Sequence, residues 1–296
     1  GQRIARAQGY VSAAVHASTS GRVVAIERRP IAHPSGLEAP CIVIEPDGED
    51  RWADDLPDPL PDYRQRPVSE LRERIRWAGV TGMGGAAFPT GVKINPGPDH
   101  PIDTLIINGA ECEPYITCDD RLMRERPGDI LDGIDILLHI VGAERCLIGV
   151  EDNKPEAIAA LEAALTARGA DPRITIVVVP TKYPSGGEKQ LIRLLTGLEV
   201  PSHGLPSEIG ILCQNVATTA AIARAVLQGR PVTSRLVTLT GEGVRQPGNY
   251  ETLIGTPFAH LVELAGGLTA GAERLILGGP MMGFAVHDTD LPVTKA

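Results

Sequence analysis

The sequence predicts an α/β protein: a parallel sheet flanked by helices, with a β-rich segment before it and a small α+β segment after it. Three observations carry this. Strand-like and helix-like runs alternate from residue 68 to residue 231, the rhythm in which helices cross over between parallel strands. Residues 1–50 lack helical periodicity and carry short β-branched runs punctuated by Gly and Pro. From Val232 the alternation gives way to isolated strands around one short helix. With 296 residues, 43% of them hydrophobic, the chain can form two or three domains and at least one large core.

In order, residues 21–26 and 41–45 read as strands, and the stretch from His16 to Ile26 as two short strands about a polar turn. The opening GQRIA reads as mid-domain. Residues 51–67, RWADDLPDPLPDYRQRP, have the Pro and Asp content of a linker. Ser69 is a candidate N-cap for a helix with Leu71, Ile75 and Ala78 on one face, closed by Gly79. Thr104 to Asn108, Cys146 to Val150 and Ile174 to Val179 read as strands, the last as one buried on both faces. Between and after them come helices beginning at Pro127, Pro155, Gly187 and about Val216. Past residue 232, Leu236 to Thr240 and Leu275 to Leu277 read as strands, with a helix from Pro257 to Ala265 between them.

Composition excludes several functions. A net charge of -9 and only 3% aromatic residues argue against a nucleic-acid binder, which needs a basic surface and stacking platforms. No apolar run approaches the roughly 20 residues of a membrane span. The five cysteines, at 41, 112, 118, 146 and 213, include no CxxC pair, so neither a zinc knuckle nor an iron–sulfur cluster is expected within these residues. The odd count and wide spacing suit a reducing compartment.

Four stretches carry candidate chemistry. GMGGAAFPTG with Lys93 offers Gly82, Gly84 and Gly85, whose amides can cradle an anion, a lysine for a phosphate, and Phe88 for stacking on a planar ring. Taken alone it is equally a plain Gly-rich turn. NGAECEPYITCDDR follows a strand, so Asn108, Glu111 and Glu113 lie where open parallel sheets bind ligands, although each acid alone reads as solvated loop. Cys112 and Cys118 lack a resolving partner, which disfavours a redox role. YPSGGEKQ brings Gly186, Gly187 and Glu188 to a helix start, and LCQNVATT brings Gln214, Asn215 and Thr218 to another. Each is weak alone. Together, three of the four at strand ends of one domain, they fit a nucleotide or flavin pocket.

These stretches, in this order, resemble the flavin-carrying NADH-oxidising subunit of respiratory complex I, and the whole chain resembles the RnfC family. GYVSAAVHASTSG, GMGGAAFPTGVK, INGAECEPYITCDDRLM and GGPMMG carry the resemblance. It implies an N-terminal barrel-sandwich (lipoyl-like) domain, partial over 1–50, then a linker over 51–67. A Rossmann-like FMN- and NADH-binding domain over 68–231 and a ubiquitin-like β-grasp (SLBB-like) domain over 232–286 would follow. Residues 287–296 would lead to an iron–sulfur module absent from this sequence. The CxxCxxCxxxCP runs for the two 4Fe–4S clusters expected of the full-length protein would lie beyond Ala296.

The resemblance also implies residue roles. Gly82, Gly84, Gly85, Lys93, Asn108, Gly186, Glu188, Gln214, Asn215 and Thr218 would bind FMN. Phe88, Glu113 and Glu188 would contact NADH. No catalytic nucleophile, general base or metal ligand is implied. Ala110, Gly187 and Ala217 stand where the complex I protein has carboxylates. The implied activity is electron transfer between NADH and ferredoxin through FMN and iron–sulfur clusters, coupled to ion translocation. The implied partners are the other membrane and iron–sulfur Rnf subunits, with ferredoxin reached indirectly, at the cytoplasmic face of the inner membrane and with no direct span. Alternatives are a soluble flavin-dependent cobalamin reductase and a non-catalytic docking subunit. A lipoyl or biotinyl carrier is excluded, because residues 1–50 contain no acceptor lysine.

Overall fold

The computed structural model describes residues 1–295. The first segment is all β: β1 (Arg3–Ala5) pairs antiparallel with β2 (Val15–His16), and β3 (Gly21–Pro30) with β4 (Glu38–Pro46) in a long hairpin. The Pro/Asp-rich stretch expected as a linker does more than connect. Leu60 and Tyr63 are buried in the central core, and the Leu60 amide donates to the Val226 carbonyl at 3.0 Å.

The central unit begins with α1 (Val68–Trp77) and the short α2 (Thr90–Lys93). It continues through β5 (Thr104–Gly109), α3 (Cys118–Glu125), α4 (Pro127–Val141), β6 (Arg145–Glu151), α5 (Pro155–Ala167), β7 (Ile174–Val179) and α6 (Glu188–Thr196). It closes with β8 (Ile211–Asn215) and α7 (Val216–Leu227). The four strands form one parallel sheet in the order β7-β6-β5-β8. Central β5 shows why its run is apolar throughout. Leu105 and Ile107 face the main core under α1, α4 and α7, while Ile106 faces a second cluster with Leu191 and Ile192 of α6. α4 and α7 cross closely, since a Cβ at Gly133 would collide with the Thr219 carbonyl.

Two expectations are corrected. The β7 run ITIVVV is not buried on both faces: it is the sheet edge, and Val178 is 51% exposed. An apolar run marks a strand here without reporting its position in the sheet. Ser69 does not cap α1, which starts at Val68 after Pro67; Ser69 lies within the first turn. The pyrrolidine ring fixes the entry to the helix instead.

The last segment holds β9 (Ser234–Leu239), β10 (Gly248–Leu253), α8 (Phe258–Leu264), β11 (Leu275–Leu277) and β12 (Phe284–Val286). β9 pairs with β10 and β11 with β12, both antiparallel. Its core of Phe258, Leu261, Leu291 and Val293 includes residues past 286, so residues 287–295 fold back onto it. Beyond, Lys295 Nζ donates to the carbonyls of Ala14 (2.8 Å) and Gly79 (2.7 Å), tying the first, middle and last segments together. Among the described residues no helix is long and apolar enough to cross a membrane.

Candidate functional site

The four stretches meet where parallel strands of such sheets present their carboxyl ends to ligands. The first is a closed loop. The Gly82 amide donates to the Phe88 carbonyl at 2.8 Å, and Thr81 bridges to Pro89. At its tip Gly85 has φ +110 with no neighbour within 4 Å of a Cβ, so the glycine is there for backbone conformation and leaves an open face. Gly84 lies against Asn215, 3.4 Å from an added Cβ to the Asn215 Cβ.

Lys93, the last residue of α2, forms an ion pair with Glu188, the first residue of α6. This pair joins the glycine loop to the loop after β7. Asn108, at the end of β5, joins the same loop from below: its Nδ2 donates to the Gly186 carbonyl at 2.8 Å, and its Oδ1 accepts from the Ala110 amide at 3.1 Å. Gly186 packs so closely there that a Cβ would collide with the Ala110 carbonyl. Ser185 beside it donates to Glu151 at 3.0 Å.

At the fourth stretch, Asn215 caps α7, its Oδ1 accepting from Ala217 and Thr218 at 2.9 and 3.2 Å. Its Nδ2 donates to Asp119 at 2.6 Å. Thr218 Oγ1 accepts from the Met83 amide at 2.9 Å, which fastens the glycine loop to α7. Gln214 is 3% exposed, yet its Nε2 has no partner. A buried donor without an acceptor is costly, so this one fits a ligand offering a carbonyl or ring nitrogen.

Thus Gly82, Gly84, Gly85, Lys93, Asn108, Gly186, Glu188, Gln214, Asn215 and Thr218 lie on four mutually bonded loops. Phe88 is 41% exposed on the glycine loop. Glu113 turns the other way, accepting the amides of Met281 (3.1 Å) and Met282 (2.7 Å) and so binding the GGPMMG turn.

Sequence reasoning missed Glu151, Ser185, Met83, Asp119 and Arg235. Only Glu151 left a signal, as a carboxylate ending a strand. Glu111 is a buried structural acid, its side chain 5% exposed, accepting the Asp119 and Asp120 amides that open α3, with Lys154 at 3.8 Å. Burial pushes its pKa up despite those bonds. Burial and the neighbouring Glu111 carboxylate push Asp119 up to about 7. Glu111, Cys118 and Asp119 bring ligand-type atoms within 4.8 Å of one another. Burial raises the Cys118 and Cys112 thiols.

Residues 75–224 match the Nuo51 FMN-binding domain, residues 236–285 the SLBB domain, and residues 1–49 the RnfC barrel sandwich hybrid domain. The C component of the ion-translocating oxidoreductase complex of Pseudomonas aeruginosa is 55% identical over 295 residues, all of this chain and 37% of that protein. Its counterpart from Erwinia tasmaniensis is 53% identical over 95% of this chain and 34% of its own length. The chain therefore spans little more than a third of these relatives. An NAD+-reducing NiFe-hydrogenase in the H2-reduced state superposes with TM-score 0.60 at 25% identity, over 72% of this chain and 41% of the other.

Proposed function

Because the chain belongs to the Nuo51 FMN-binding domain family, with an RnfC-type segment before that domain and an SLBB domain after it, we propose that it binds FMN and NADH in the four-loop site. In this reading it is the NADH-oxidising part of an ion-translocating electron-transport complex. The observation that carries the reading is the convergence of the glycine loop, Lys93, Asn108, Gly186 and the start of α7, together with the buried Gln214 Nε2 that has no hydrogen-bond partner. Bound FMN supplies two-electron exchange with nicotinamide and one-electron exchange with iron–sulfur clusters, so the protein's task is placement and electrostatics.

The residues divide that task. Gly82 closes the loop through the Phe88 carbonyl, Gly84 and Gly85 keep its tip clear of side chains for a phosphate, and Lys93 contributes the matching charge. Asn108 and Asn215 spend their amides within the protein, so they shape the floor and the α7 end of the site. Gln214 has an uncommitted donor for the flavin ring. Glu188 holds Lys93 until an anion competes for it, and Gly186 keeps the facing wall free of side chain. Phe88 contributes an exposed ring toward the nicotinamide nucleotide, and Glu113 acts through the GGPMMG turn.

In the same reading residues 1–50, 51–67, 68–231 and 232–286 are successive units, the last a β-grasp variant. The 4Fe–4S clusters and ferredoxin contact belong to the rest of a full-length protein and to other Rnf subunits. The place of work is the cytoplasmic face of the inner membrane, held there peripherally by those partners.

Equilibrium titration with FMN tests the assignment. The chain is expected to quench flavin fluorescence at one equivalent, and Lys93→Ala to weaken binding about tenfold, the loss of a charge-assisted phosphate contact. A folded protein that takes up no FMN would refute the site.

A further inference from the structure

We propose that Asp119 is a positioning residue of this site: its carboxyl group fixes the Asn215 amide and, through it, the start of α7 and the glycine loop. The proposal rests on the FMN reading above.

The two ends of the Asn215 amide differ in chemistry. Only the oxygen can accept the Ala217 and Thr218 amides, so the cap exists in one of two flip states. Asp119 selects that state, because its Oδ2 accepts from Asn215 Nδ2 at 2.6 Å. Asp119 is itself held. It lies in the first turn of α3, and Glu111 accepts its backbone amide at 2.8 Å. In the first turn of α7, Thr218 Oγ1 accepts the Met83 amide at 2.9 Å. The Met83 carbonyl in turn accepts from Arg235 Nη2 at 3.4 Å. Arg235, from β9, is also a charge partner of Asp119. Met83, inside the glycine loop, is thus gripped at both backbone atoms by groups that converge on Asp119, one from α7 and one from β9.

No bond from Asp119 to a flavin is needed, which makes it a positioning and not a binding residue. The interaction can be inverted: an aspartate at 215 can cap α7 equally well, and an asparagine at 119 can then donate to it.

The test uses amide hydrogen exchange of Ala217, Thr218 and Met83 without flavin, followed by FMN titration. At about pH 8, where both groups are ionised, Asn215→Asp alone sets two carboxylates against each other. It is expected to speed exchange at these amides at least tenfold and to weaken FMN by a similar factor. The exchanged pair Asp119→Asn with Asn215→Asp is expected to restore slow exchange and most of the affinity. Asp119→Ala should behave like Asn215→Asp. Equal exchange rates in the single and paired variants would overturn the proposal. So would wild-type exchange in Asp119→Ala. If the wild-type chain fails to bind FMN while the exchange pattern holds, the flavin reading falls and the Asp119 strut stands.

Discussion

Among single residues, the site depends on where a side chain must be absent and on which buried groups carry charge. Gly186 has no room for a Cβ against the Ala110 carbonyl, whereas Gly84 has ordinary contact distance. Gly186→Ala is therefore expected to cost about 1–3 kcal/mol in urea unfolding and to abolish FMN binding, with Gly84→Ala near wild type in stability. Equal effects would show that the 186 contact does not define the site. Asp119 allows a pH prediction. Its pKa is raised in the fold to about 7 from an ordinary 3.8, so the native state binds more protons than the unfolded chain between those values. That contribution declines as pH rises from about 4 through 7. Asp119→Asn should flatten the fall relative to wild type in melts across that range; an identical fall would assign it to another group. The four loop motifs were legible in the sequence: three bring glycine or amide residues to strand ends, and the fourth is a glycine-dense run followed by Lys93. Asp119, Met83 and Arg235 were not, since their roles arise from contacts between residues up to 152 positions apart.

Among the helices and strands, those with strong periodicity were legible and those set by tertiary contact were not. β5, β6, α4, α5 and α7 fall where their apolar spacing, Pro starts and Gly stops place them. α3, CDDRLMRE, is polar on most positions, and its first amides are satisfied by Glu111 from outside the helix. β10, GNYETL, lacks a β-branched run and is a strand through its six-residue pairing with β9. Residues 51–67 look like a linker by composition, yet Leu60 and Tyr63, three apart, are buried. The tight α4–α7 crossing makes a testable claim. Gly133→Ala, favourable for an isolated helix by about 1 kcal/mol, should instead destabilise by about 1–3 kcal/mol because the Thr219 carbonyl occupies the space. A stabilised variant in chemical denaturation would contradict that packing.

Across the full chain, the first and last segments close over α1. His16 is buried against Trp77, ring centroids 4.9 Å apart, and Lys295 binds carbonyls of both Ala14 and Gly79. Burial, with the Lys295 charge adding to it, lowers His16 from 6.5 to about 3. A depressed base stays neutral in the fold while the unfolded chain takes up a proton, so stability is lost as pH falls from about 6.5 toward 3. His16→Phe should reduce that acid loss, read as a smaller drop in melting temperature between pH 6.5 and 4. An unchanged drop would place the acid sensitivity elsewhere. None of this closure was visible in the sequence, where His16 and Lys295 stand at opposite ends of the chain.

The proposed function turns on whether this chain brings NADH to bound FMN. An anaerobic NADH titration of the FMN-reconstituted chain, followed by visible absorption, addresses it without intermediaries. Stoichiometric bleaching of the flavin band is expected. Flavin that stays bound and oxidised at saturating NADH would contradict the assignment.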